Sequence, residues 1–93
     1  MTNFKNLTII HKCSYKGNDY FLLEKSQKDF EEVQEKAGDD GEKLMLEMWA
    51  MMLCDEKGKL LNLSADDISD IPTGFRKDIC DNMLALATGQ KKS

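Results

Sequence analysis

The run Leu44-Met45-Leu46-Glu47-Met48-Trp49-Ala50-Met51-Met52-Leu53-Cys54 constrains this chain more than any other stretch. It holds four of the six methionines and the only tryptophan, and Glu47 is the single charge inside it. At helical spacing its apolar side chains point in nearly every direction. A helix of that kind has to be covered on several sides, by its own domain or by a partner. The run then breaks into the charged turn Asp55-Glu56-Lys57-Gly58-Lys59.

Ninety-three residues suit one domain spanning 1–93, which at this size buries roughly 60–70% of its unfolded surface. The composition is that of a globular chain, 41% hydrophobic and 32% charged, with a net charge of -4. Both signs run through the whole chain, so no basic face is expected and non-specific nucleic-acid binding is not. The longest apolar run is shorter than the about 20 residues a membrane helix needs. Met1-Thr2-Asn3-Phe4-Lys5 does not lead into the long apolar core of a secretory signal. Cys13, Cys54 and Cys80 are odd in number and far apart. They read against a disulfide framework and for a reducing, cytoplasmic setting.

Asn6 to Tyr15 and Asp19 to Leu23 are β-prone, and Lys16-Gly17-Asn18 between them supplies a turn. The pair predicts a hairpin within region 1–25, which needs something to pack against. Ser26 reads as an N-cap, with Asp29 three residues on and Phe30 and Val33 at i, i+3. A helix over about 27–37 follows, stopped near Gly38. The methionine-rich helix is expected over about 42–54, then a turn at Gly58 and a short extended piece at Leu60-Leu61-Asn62-Leu63. Ser64 is a second N-cap, with Asp66 and Asp67 where a helix dipole favours acids. Pro72 starts a last helix from Thr73 to about Thr88, with Phe75, Ile79, Met83 and Leu86 along one face and Gly89 as its stop. Residues 90–93 form a polar tail. The fold class is therefore α+β: an N-terminal β-hairpin packed with about three to four α-helices, the region 26–93 and the C-terminal half being helical.

Chemistry finds little footing. His11 and Cys13 fall on one face of a strand, but zinc needs three or four ligands and no second pair is present. Asp66, Asp67 and Asp70 lack the oxygen-ligand pattern of a calcium loop, and the dipole explains the first two. Asp55, Glu56 and Lys57 read as a solvated turn. No nucleophile, base and orienting group can be assembled from spacing, and no glycine-rich phosphate loop occurs. Cys54 and Cys80 read as small buried hydrophobes. No catalytic residue, metal or cofactor is expected.

The methionine run stands above this background. Its plain reading is core. Methionine is also flexible and polarizable, and it is over-used on surfaces that accommodate varied helical partners. Met45, Met48 and Met52 share one face at i, i+3, i+7, while Met51 lies on another. The candidate partner-binding residues are Met45, Met48, Trp49, Met52 and Leu53, with Phe75, Ile79 and Met83 packing beside them. Spacing leaves open which of them face inward.

From Glu42 onward the order of features resembles the tail assembly chaperones of long-tailed phages and prophages. In that family an apolar helix ends in an aspartate-glutamate-x-glycine-lysine turn. A short acidic helix leads to a proline, and an amphipathic helix closes with glycine. Here these are Leu44 to Cys54, Asp55-Glu56-Lys57-Gly58-Lys59-Leu60, Ser64-Ala65-Asp66-Asp67-Ile68, Ile71-Pro72, and Phe75 to Gly89. Ile71 stands where many relatives have leucine, and Thr73-Gly74 is less helix-prone than usual.

The resemblance implies a non-enzymatic protein of the host cell cytoplasm, not found in the mature virion. Its partners would be the helical tape measure protein, kept soluble, and the tail-tube subunits, whose assembly it promotes. It also implies a homo-oligomer, with neither nucleic acid nor membrane as partner. Lys91-Lys92 fits an adenine-rich message on which a ribosome slips to a longer product. The alternative is a small acidic regulatory protein-binding module, such as an antitoxin or an inhibitor of a host factor.

Overall fold

The hairpin begins later than its β-prone residues. In the computed structural model, which describes residues 8–88, β1 is Ile10–Tyr15 and β2 is Asn18–Leu23. They pair antiparallel from Ile10↔Leu23 to Tyr15↔Asn18. The two central turn residues, Lys16 (φ 48°) and Gly17 (φ 83°), both have positive φ. That is the type I′ arrangement, whose twist matches the strands it joins. Strand alternation sends Tyr20 and Leu22 inward, where they are buried, and leaves Lys12 and Ser14 exposed.

Helix α1 is Gln27–Ala37, as its sequence predicts. Ser26 caps it in a reciprocal box: its hydroxyl accepts from the Asp29 N–H, and the Asp29 carboxylate accepts from the Ser26 N–H. Such a cap stabilises by about 1 kcal/mol. Only Val33 and Ala37 are buried, with Phe30 half-buried, so α1 lies on the domain with its charged side in water. Helix α2, Gly41–Met52, starts at Asp40, whose carboxylate accepts from the Glu42 and Lys43 N–H groups.

The expected helix over 42–54 ends two residues early. Leu53 and Cys54 turn extended and become β3, pairing antiparallel with β2 through Phe21↔Cys54 and Leu22↔Leu53. Strand pairing supplies partners for backbone groups that another helical turn would otherwise satisfy. The sheet order is β1-β2-β3. The chain then doubles back on itself. Asp55 Oδ1 accepts from the N–H groups of Lys57 (2.8 Å) and Lys59 (2.9 Å), an Asx-type turn. Gly58 sits at φ 88°, and a Cβ there would lie 3.2 Å from Ile10 Cδ1. Leu60 bridges to Cys54, which locates the expected short extended piece.

Helix α3, Ala65–Ser69, carries the second reciprocal cap, Ser64 with Asp67. Pro72 then opens helix α4, Thr73–Ala87, with its carbonyl accepting from the Arg76 N–H (2.9 Å). One core joins the elements: Tyr20, Leu22, Val33, Met48, Trp49, Met52, Leu53, Ile68, Ile79 and Met83. The molecule is thus α+β, a hairpin extended to a three-stranded antiparallel sheet with four helices, mostly C-terminal. The start of the β-prone stretch at Asn6 and Leu7, Gly89, the tail 90–93 and Lys91-Lys92 lie outside the described residues.

Candidate partner-binding surface

Successive residues of α2 stand about 100° apart around its axis. Met48, Trp49 and Met52 fall within one arc and are buried at 7%, 3% and 0% exposure. Met45 lies on that arc one turn earlier and is half-buried. Leu44 and Met51 form one flank and Leu46 the other, all half-buried. What remains open to water is the first turn, Gly41, Glu42 and Lys43, and a narrow strip that continues to Ala50. The structure therefore assigns the faces that spacing left open, and no methionine of α2 lies on its solvent strip.

The other candidate residues follow the same pattern. Leu53 is buried in β3, and Ile79 and Met83 are buried on α4. Phe75, half-buried, stacks on Tyr15 (ring centroids 5.5 Å apart) and tilts against Tyr20 (5.6 Å). Of the residues singled out for a partner, Met45 and Phe75 keep accessible surface. Met48, Trp49, Met52, Leu53, Ile79 and Met83 build the core.

Two polar contacts pin α4 over this core. The Trp49 indole N–H donates to Cys80 Sγ at 3.4 Å, which satisfies the polar atom of a nearly fully buried side chain. The Tyr20 hydroxyl donates to Asp78 Oδ2 (2.7 Å) and accepts from the Asn82 amide. Burial, and then the bond to Asp78, push the Tyr20 hydroxyl above its ordinary pKa, so it stays protonated and keeps donating. Sequence reasoning missed this cluster. The available signal was Asp78 and Asn82, one helical turn apart beside the Phe75-Ile79-Met83 stripe.

Gly74 is a second residue that spacing undervalued. A Cβ on it would lie 2.5 Å from Tyr15 Oη and 3.4 Å from Tyr15 Cζ. The weak helix former at the start of α4 is the room that Tyr15 needs to reach Phe75.

The reactive-looking residues have structural partners. His11 Nε2 lies 2.7 Å from Glu24 Oε1 across the hairpin. Desolvation raises the Cys54 thiol, keeping it neutral in the core. Hydrogen bonds hold three carboxyls below the usual range: to the Ser26 side chain for Asp29, and to backbone N–H groups for Asp55 and Asp67. Among the described residues no group of three or more His, Cys, Asp or Glu side chains is placed to hold a metal ion, and no helix is long and apolar enough to cross a membrane.

The apolar surface left for a partner is dispersed. Leu84 on α4 is 55% exposed, Leu61 45% and Ile9 42%, alongside the half-buried Leu44, Met45, Met51 and Phe75. No family model, curated protein or solved structure matches this chain.

Proposed function

We propose that this chain is a phage or prophage tail assembly chaperone, a non-enzymatic protein of the host cytoplasm. It binds the helical tape measure protein, keeps it soluble and promotes tail-tube assembly, associating with further copies of itself. The observation that carries this reading is the succession of elements from α2 to α4. An apolar helix stops at a tight turn stapled by Asp55 with Gly58 at positive φ, a short capped helix leads to Pro72, and a closing helix follows. Within the described residues the turn, the short capped helix and the closing helix fall on separate elements, while Leu44 to Cys54 divides between α2 and β3.

The client surface in this reading is the half-buried rim of the core together with Leu84. Apolar side chains scattered singly are ordinary on a protein surface, so the succession of elements, and not a patch, supports the reading. The net charge of -4 helps keep such an assembly in solution.

Co-expression tests the reading. The large helical protein encoded nearest this gene is expressed with and without the chain, and its soluble fraction is measured. Wild type is expected to raise that fraction, while Leu84→Lys and Met45→Glu, checked for folding by circular dichroism, lower it. A client equally insoluble with and without the chain contradicts the proposal. Met48→Glu does not serve this test, because it places a charge in the core.

A further inference from the structure

α1 and α4 hold to the core by different means. α4 buries Ile79 and Met83 and is fastened by polar contacts as well, Tyr20 with Asp78 and Asn82, and Trp49 with Cys80. α1 has three apolar side chains: Val33 at 8% exposure, Ala37 at 6%, and the half-buried Phe30. Among the described residues its side-chain hydrogen bonds stay local, Ser26 with Asp29 and Gln27 with Glu31, and no ion pair joins it to another element.

Loops bound α1 on both sides, Glu24-Lys25-Ser26 before it and Gly38-Asp39-Asp40 after it. Gly38 lies at φ 58°, a region open to glycine. The short second loop makes α1 and α2 a helical hairpin, and α1 packs on α2. Its last turn therefore lies beside the first turns of α2, where the apolar run begins at Leu44 and Met45. A segment with few buried side chains and no polar fastening opens at a lower free energy than the core beneath it.

We propose that α1 is a displaceable strap: it lifts from α2 as a unit, pivoting at its two loops, and an amphipathic client helix takes its seat. The chemistry of the occupant follows from what the seat already holds. That is a helix with Phe30, Val33 and Ala37 at i, i+3, i+7, the spacing of a helix laid in a groove. Trp49 stays against Cys80 of α4, so the core beyond the seat remains closed. Lifting α1 thus widens the rim given above as the client surface. The opening is a property of this chain alone, whereas the occupant rests on the chaperone reading.

Native-state hydrogen exchange of the full chain, over a series of low urea concentrations, tests the opening. An isolated helix of 11 residues is marginal in water, so a lifted α1 exchanges its amides. These amides are expected to be about tenfold or more less protected than those of β2, with a weaker urea dependence. Tyr20→Phe should lower protection in β2 and α4 about tenfold and leave α1 unchanged, because Tyr20 keeps its contacts when α1 lifts. Protection and urea dependence shared by α1 and β2 overturn the proposal, as does an α1 that falls with β2 in Tyr20→Phe. If that variant fails to fold, the urea series alone decides.

Gln34→Gly, on the exposed side of α1, tests the seat. It should lower α1 protection about threefold and, in the co-expression assay, raise the client's soluble fraction above wild type. An unchanged or lower fraction removes the client from the seat. If wild type itself leaves the client insoluble, the chaperone reading and the occupant both fall, and the exchange pattern still decides the opening.

Discussion

Helices α1 and α2 are near-equals in length, 11 and 12 residues, and both start at a side-chain cap. They pack on each other yet meet water very differently. α1 buries Val33 and Ala37 and keeps Glu31, Glu32 and Glu35 exposed. α2 is exposed in its first turn at Gly41, Glu42 and Lys43 and again at Ala50, and is covered on nearly every side beyond that turn. Met48 and Met52 are thus taken up by the core, while Met45 and Met51 sit half-buried at its edge. Whatever partner this protein has meets a rim, and the soft centre stays inside.

The contrast predicts unequal costs. Trp49→Ala removes a side chain 3% exposed and orphans the contact to Cys80. It should cost about 3–5 kcal/mol, a large share of the roughly 5–15 kcal/mol a domain holds. Glu32→Ala on the exposed side of α1 should stay within about 0.5 kcal/mol. Urea unfolding compares the two, and equal losses would break the comparison.

What covers α2 can be probed next. Gly74→Ala drives a methyl into the Tyr15 hydroxyl, the far end of a side chain, and should cost at most about 1 kcal/mol net of the gain in helix propensity. Adding Tyr15→Phe should return part of that loss in a double-mutant cycle, because the atom met first is the hydroxyl oxygen. Simple additivity would deny the contact. Tyr20→Phe strips the hydroxyl from the Asp78–Asn82 cluster and should cost about 1–2 kcal/mol. On the α1 side, Ser26→Ala should cost about 1 kcal/mol. Hydrogen exchange should show that loss at the first turn of α1 and spare α2.

Most of this architecture was legible because local chemistry fixed it. Ser26 with Asp29, Ser64 with Asp67, and Pro72 mark helix starts through groups within three residues, and α1 fell at 27–37 as read. The hairpin was legible from its turn. β3 was not, because two residues carry no period and Leu53-Cys54 continue a helical pattern that pairing with β2 overrides. The faces of α2 were illegible for a related reason. A helix apolar all round has no polar stripe to mark its outside, so only the elements packed against it settle the matter. Gly74 looked like a weakness until Tyr15 was seen over it.

Acid should produce the smallest effect. Asp29, Asp55 and Asp67 titrate below the ordinary carboxylate range in the fold. The stability they lend is complete above the unfolded carboxylate value, about 3.9, and is lost as pH falls through their lower folded values. Thermal melts should therefore change little with pH near neutrality and drop in acid. Gln at position 29 should flatten part of that acid limb, and an unchanged limb would remove the capping box from the account.

The central claim is that the methionine-rich helix is core, and Trp49, the only tryptophan, reports on it directly. The measurement is its fluorescence with acrylamide titration on the isolated chain. At 3% exposure its emission should be blue-shifted and resist quenching until the chain unfolds, then shift red in one step with the loss of helix. A red, readily quenched emission from the folded chain would place this helix at the surface and contradict the account.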